Sequence, residues 1–353
     1  MSSIDAFVTG GTGFIGRWLL PELTNEGQRV AVLLRGDARR LAELRAWVDA
    51  HGGRGELVDG LTGDLASPDL GLGAGDLAVA RTARKVFHLG AAMSFGLAPE
   101  VAEEVNVKGS ERVTELAASA PRLERLVLVS GFQHRRSGRL TANRYHDSKL
   151  DADARVRDLA QTRGVPLTTV HPGPVVGDSS TGETTQFWGW PNLVRALHRG
   201  RLPILPGGAD HWFPLLAVDY LARFLSRATQ LDSTVGGQYW LLHEATPPLP
   251  ELLNVVADEL GVRAPRLHVP VSLAALGLRS GLSRWTGLPA EALAFVSRDR
   301  FPVTDAQHVA AALDLIEPDP IDLARITARF LVAHEFQYPD GHGRPVGGVL
   351  SPG

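Results

Sequence analysis

The chain has 353 residues, 44% hydrophobic and 21% charged, with a formal net charge of −3, an ordinary globular balance with room for one large core or two modest ones. It lacks basic stripes and charged tails, which argues against nucleic acid as a partner. It also lacks cysteine, which excludes disulfides, thiolate catalysis and cysteine-bound metal and fits a reducing cytoplasm.

The first apolar run, Ile4–Val8, predicts a strand and leaves no room before it for an export signal. It is followed at once by Thr9, Gly10, Gly11, Thr12, Gly13, Phe14, Ile15 and Gly16. A strand, a glycine loop and a helix start together form a cradle for a dinucleotide pyrophosphate. Gly10 allows a tight turn, Gly13 lets the backbone approach the phosphates, and Gly16 lets the helix pack closely, while the helix N-terminus offers free N–H groups to the anion. A helix over Phe14–Asn25 and a strand over Arg29–Leu34 come next. At the end of that second strand stands Arg35 rather than an acidic residue. An acidic side chain there would hold a ribose 2′-hydroxyl, whereas an arginine accommodates a 2′-phosphate, so NADP(H) is expected.

The alternation continues with a helix around Ala38–Ala50, a strand over Gly55–Gly60, the turn Gly63-Asp64-Leu65, a strand over Lys85–Leu89, a helix over Pro99–Ser119 and a strand over Arg125–Ser130. Short valine- and leucine-rich runs between helices predict an α/β fold, a Rossmann-type doubly wound parallel sheet. A charged helix over Tyr145–Arg163 and a strand over Leu167–Val170, stopped by Pro172 and Pro174, follow. Beyond Gly177 the texture turns polar and aromatic. We therefore expect an NADP-binding region at 1–177 and a smaller substrate-binding cap at 178–353. In the second region, helices over Pro191–Arg199, Val218–Ala228 and Pro250–Leu260 and a strand over Gln238–Leu242, returning to the sheet, are expected. The apolar stretch Pro214–Leu225 is broken by Asp219 and Arg223, too short for the ~20 residues of a membrane span.

Tyr145 and Lys149 stand four apart near a helix start, which puts both on one face. A free phenol titrates near ~10, and an adjacent ammonium makes it a usable proton carrier. Only three lysines and four tyrosines occur in the chain, so roughly 0.03 such pairs would arise by chance. No cluster of acidic residues and histidines has a metal-binding spacing, and no metal is expected. Tryptophans 188, 190 and 212 are candidates for the wall of an apolar pocket.

With these elements in place, the chain resembles the extended short-chain dehydrogenase/reductase family. The likeness is carried by Thr9–Gly16, Gly63-Asp64-Leu65, His88–Ala92, Asn106–Gly109 and Tyr145–Lys149. Asn143–Ala152, Val176–Glu183, Pro203–Gly208 and Phe213–Tyr220 are similar to the branch of thioester reductases and fatty acyl reductases. The resemblance implies hydride transfer to or from a carbonyl carbon of an acyl thioester or aldehyde, bound to coenzyme A or a carrier protein, in a monomer or homodimer. A ketone or secondary alcohol of steroid- or isoprenoid-like type, a sugar-nucleotide epimerase and a non-catalytic NADP-binding sensor or scaffold are the alternatives. It implies cofactor contacts at Asp64, Leu65, Leu89, Gly90, Ala91, Pro172, Gly173 and Val175, besides Tyr145 and Lys149. One position departs from the family: where a serine or threonine polarises the carbonyl, this chain has Gly131. Either Ser130 serves instead, or Gln133 or His134 from the following loop supplies a donor, or carbonyl activation is weaker. His171 is read as structural.

Overall fold

The computed structural model describes residues 3–36, 38–92, 98–132 and 144–337, with the backbone alone at residues 144–147, 291 and 294. The buried first strand, β1 (Ala6–Thr9), leads through the glycine loop into α1 (Phe14–Asn25). Next come β2 (Val30–Leu34), α2 (Ala38–Ala50), β3 (Val58–Thr62), α3 (Ala74–Ala80) and β4 (Lys85–His88). The third strand begins later than the expected Gly55. There the Gly55 N–H donates to the Asp49 carboxylate at 2.6 Å, and Gly55–Leu57 wind into a 3-10 turn instead.

The single helix expected after Pro99 has three parts: α4 (Pro99–Val101), a π-helical stretch Ala102–Lys108, and α5 (Gly109–Ala118). A π-turn inserts an extra residue into the helical ladder. It lies where buried Asn106 turns its amide onto Ala92. Then follow β5 (Arg125–Val129), α6 (Arg144–Arg163) and β6 (Leu167–Pro172). The proline is tolerated at the end of β6 because the Gly173 N–H continues the ladder, donating to the Leu241 carbonyl at 2.7 Å.

The remaining elements are α7 (Trp190–His198), β7 (Leu205–Pro206), α8 (Val218–Ala228), β8 (Gln238–Leu241), α9 (Leu249–Leu260), β9 (His268–Val269), α10 (Val271–Gly277), α11 (Ser283–Thr286), α12 (Thr304–Ala312) and α13 (Pro320–Ala333). Strands β7 and β9 form a small separate sheet.

The main sheet has seven strands in the order β3-β2-β1-β4-β5-β6-β8, and every neighbouring pair is parallel. Burial on both faces follows from strand alternation. Val30, Val32 and Leu34 of β2 enter one core with Leu19 and Leu23 of α1 and Leu221 and Leu225 of α8. Ala31 and Leu33 enter the other with Val113 of α5 and Val156 of α6. Strand order reverses between β1 and β4, which opens a crevice at their carboxyl ends. Trp190 and Trp212 are core residues, each 2% exposed; of the three candidate tryptophans, Trp188 alone is half-buried. Among the described residues, no helix is long and apolar enough to cross a membrane.

Candidate active site

The glycine loop is built so that side chains would not fit. Gly10 has φ +74°, and a Cβ there would sit 2.6 Å from the Gly90 nitrogen on the next strand end. A Cβ on Gly11 would meet Val32 of β2 at 2.6 Å, and one on Gly16 would meet the Gly10 carbonyl at 2.2 Å. The close approach at Gly16 is therefore to the loop's own backbone. Gly13 is the N-cap of α1 and provides no side-chain acceptor, so the first-turn N–H groups are available to an anion. Thr12, Gly13 and Ile15 stay partly accessible, while Phe14 is buried beneath them. These features fit a dinucleotide.

The end of β4 lies beside this loop. The Leu89 N–H donates to the Thr9 carbonyl at 3.1 Å, and the Gly90 N–H to the Thr9 hydroxyl at 3.3 Å. Leu65 closes over Gly90, its methyl 2.8 Å from where a Cβ would stand. Asp64 turns its carboxylate onto the Ala66 N–H at 2.9 Å. Ala91 continues the β4 end toward Ala92, whose backbone the Asn106 amide holds from both sides, at 2.7 and 3.1 Å. The same amide donates to Ser148 on α6 at 2.9 Å.

His88 links these parts. It is fully buried, and burial, aided by the nearby Lys149 charge, pushes its pKa down to about 3, so the ring is neutral. The proton order follows from the partners. The Ser110 hydroxyl donates to the Asn106 carbonyl at 2.6 Å, so it accepts from His88 Nε2 at 2.8 Å. His88 Nδ1 is then bare and accepts from the Thr9 hydroxyl at 2.6 Å, which itself accepts from Gly90. A single directed chain thus runs from the glycine loop to the π-helical turn. In the sequence His88 stands out only as part of a motif, and Ser110 not at all; an inward-facing histidine at the end of a buried strand is the signal that could have found them.

Lys149 of α6 is buried, and its ammonium donates to the Val129 carbonyl at the end of β5, at 3.2 Å. Burial lowers its pKa to about 8, opposed by the Asp153 carboxylate one turn on. Asp153 is itself buried and paired with Arg157 at 3.2 Å. Tyr145 falls in the first turn of α6, but its side chain lies outside the described residues, as do Gln133 and His134. The Ser130 hydroxyl, 6% exposed, is 3.4 Å from the Lys149 carbonyl, turned toward α6. Pro172 and Gly173 lie beside β8, a Cβ on Gly173 being 3.1 Å from Leu242, and Val175 bridges to Leu216.

At the end of β2, Arg35 is exposed. Arg40 reaches back from α2 across Gly36 and donates to the Arg35 carbonyl, while Arg39 is paired with Glu43 at 2.9 Å. The Arg40 guanidinium is thus held at this strand end, beside the exposed Arg35.

The family model for male sterility proteins, an NAD-binding family, matches residues 8–142 and 131–225. The chain belongs to this family, the thioester reductase-like branch of the extended short-chain dehydrogenase/reductases. It is 26% identical over 282 residues to a linear gramicidin synthase of Brevibacillus parabrevis, covering 72% of this chain and 5% of that protein. It is 28% identical over 270 residues to the aldehyde reductase lnaA of Aspergillus flavus, covering 67% of this chain and 25% of that one. The chain therefore spans a small part of these relatives' length. In fold it is similar to the terminal R domain of the myxalamid PKS-NRPS biosynthetic pathway, with a TM-score of 0.79, 21% identity, and coverage of 95% of this chain and 92% of that one.

Proposed function

We propose that this protein reduces a carbonyl carbon with NADPH, acting on an acyl thioester or the aldehyde derived from it. The observation that carries this reading is Lys149, buried against the end of β5 four residues after Tyr145, with its pKa drawn down to about 8. The glycine loop, Asp64–Leu65, Leu89–Ala91 and Pro172–Val175 hold the dinucleotide, and Arg35 and Arg40 meet its 2′-phosphate. When bound, the dinucleotide supplies the hydride. Lys149 supplies the cation that would let the phenol of Tyr145, four residues earlier in the sequence, give its proton to the substrate oxygen. Residues 1–177 carry the dinucleotide and residues 178–353 shape the substrate side. A thioester on coenzyme A or a carrier protein suits this site, since relatives of the chain include a nonribosomal peptide synthetase. The cysteine-free composition suits a cytoplasmic protein.

The test is NADPH consumption by the wild type and Tyr145→Phe against acyl-coenzyme A thioesters, aldehydes and ketones, with NADH alongside. We expect turnover of thioesters with release of free thiol, or of aldehydes without it, lost in the variant. Ketone turnover alone would favour the secondary-alcohol reading. The burial of Ser130 beside Gly131 favours one further reading, a dinucleotide-binding sensor. Saturable NADPH binding without turnover of any carbonyl would establish it and defeat the reductase.

A further inference from the structure

The strand end after β5 has a glycine where the resemblance places a carbonyl-polarising hydroxyl, and the neighbouring Ser130 hydroxyl is buried against the Lys149 carbonyl. Strand alternation sets that direction, because Ser130 shares the α6 side of the sheet with Leu126 and Leu128. Among the described residues no side-chain hydroxyl stands at that position, while the backbone of Gly131 and Phe132 is firmly held.

Two successive carbonyls are fixed by side chains from the adjoining strands. His171 Nδ1 of β6 lies 2.8 Å from the Gly131 oxygen, and Trp240 Nε1 of β8 donates to the Phe132 oxygen at 2.9 Å. The two rings stack, with centroids 4.2 Å apart and planes 16° from parallel. Because a carbonyl only accepts, Nδ1 carries a proton, and burial depresses the ring's pKa, favouring the neutral form. Phe132 itself is 6% exposed and packs on Phe301 and Phe295, at 5.3 and 6.2 Å. The segment is thus held by two hydrogen bonds and an aromatic cluster.

A trans peptide points its C=O and N–H in opposite directions, and the described residues contain no cis bond. Anchoring the Gly131 oxygen on His171 therefore turns the Phe132 N–H away from His171. Neither that N–H nor the N–H of Gly131 has a partner among the described residues. We propose that the Phe132 backbone N–H, aimed by His171 and steadied by Trp240, polarises the substrate carbonyl in place of the missing hydroxyl. This rests on the carbonyl-reduction reading above. As the hydride reaches the carbonyl carbon, the C=O electron pair moves onto oxygen; the N–H stabilises that charge until the proton arrives from Tyr145. A donor fixed in advance costs no reorganisation during the reaction. His171 and Trp240 are positioning residues, acting through the peptide they hold.

The experiment is a cycle of His171→Ala and His171→Asn, each alone and combined with Gly131→Ser, assayed on the best aldehyde of the panel. Turnover, NADPH dissociation constant by fluorescence and unfolding temperature are read for each. His171→Ala should lower kcat roughly 10- to 100-fold, a large part of what loss of one oxyanion donor costs, with the NADPH constant unchanged. His171→Asn, whose amide can donate near the Nδ1 position, should recover most of the loss. With the hydroxyl restored by Gly131→Ser, His171→Ala should cost less than about 3-fold. An equal loss in both backgrounds, or a loss tracking unfolding temperature without rescue by Asn, would overturn the proposal. If Gly131→Ser does not fold, Trp240→Phe decides: it keeps the ring and removes the donor, and unchanged kcat there and in His171→Ala also overturns it. Wild-type protein that binds NADPH yet reduces no carbonyl would overturn the reductase reading, and this inference with it.

Discussion

Thr9 and His88, cross-strand partners on β1 and β4, share a 2.6 Å hydrogen bond between their side chains. The Thr9 hydroxyl also receives the Gly90 N–H, so one oxygen joins the two strand ends that would bracket the pyrophosphate. Thr9→Val keeps the shape and leaves Gly90 N–H and His88 Nδ1 unpaired in the interior. We expect a stability loss of about 1–3 kcal/mol, read by denaturant unfolding, and weaker NADPH binding by titration.

Gly16→Ala should be more damaging than the size of a methyl group suggests. The added carbon would fall 2.2 Å from the Gly10 carbonyl, a backbone atom with no room to move. Overpacking of this kind costs roughly 1–3 kcal/mol, and here it also displaces the loop proposed to hold the phosphates. Loss of saturable NADPH binding in a protein with a cooperative unfolding transition is the expected result.

Lys149 gives a pH signature. Its folded pKa of about 8 lies below the ordinary 10.5, so burying the ammonium opposes folding fully below about pH 8, and the cost fades as pH rises from there to 10.5. Stability should therefore climb over that window, and Lys149→Met should flatten the climb. On the proposed mechanism carbonyl reduction runs the other way: above about pH 8 the Lys149 cation is lost, and kcat should fall. A pH profile of both quantities on one preparation checks the opposed slopes.

Arg35 and Arg40 predict cofactor preference. Arg35→Ala should raise the NADPH KM at least about tenfold while leaving that for NADH within twofold, as expected when a guanidinium faces a 2′-phosphate. Equal effects on both dinucleotides would remove the reason for naming NADP.

Glu317, in the irregular segment before α13, offers a test away from the site. Burial, and then the nearby Glu244 charge, raise its pKa to about 7 from 4.5. Its ionisation opposes folding progressively between pH 4.5 and 7 and fully above 7. Glu317→Gln should therefore raise the unfolding temperature at pH 8 and change it little at pH 4.5.

The sheet and its helices were legible because each buried parallel strand is a short run of valine and leucine between glycine or proline stops. Alternation along β2, with Val30, Val32 and Leu34 to one core and Ala31 and Leu33 to the other, leaves no polar stripe to confuse the reading. The glycine cradle was legible for a similar reason, since backbone approach at Gly10 and Gly16 restricts residue choice directly. What escaped was polar and long-range. No local pattern announces that His88 reaches Ser110, 22 residues later, or that His171 reaches the Gly131 carbonyl, 40 residues earlier. Nor does any local pattern announce the π-helical turn around Asn106, whose buried amide bonds to Ala92 and Ser148. Such choices are settled by where buried donors find acceptors once the chain is packed.

Strand β8, arriving from the second half of the chain, pairs along the edge of β6 and sets Trp240 beside His171. A chain cut after Gly177 would leave β6 as a bare sheet margin, with unpaired backbone groups open to any other extended segment. The same cut would remove α8, whose Leu221 and Leu225 share a core with Leu19 and Leu23 of α1. Residues 1–177 are therefore not portable: grafted alone into another protein, they would be sticky and poorly folded, and any fusion or library built on this scaffold must carry the chain at least through Leu241.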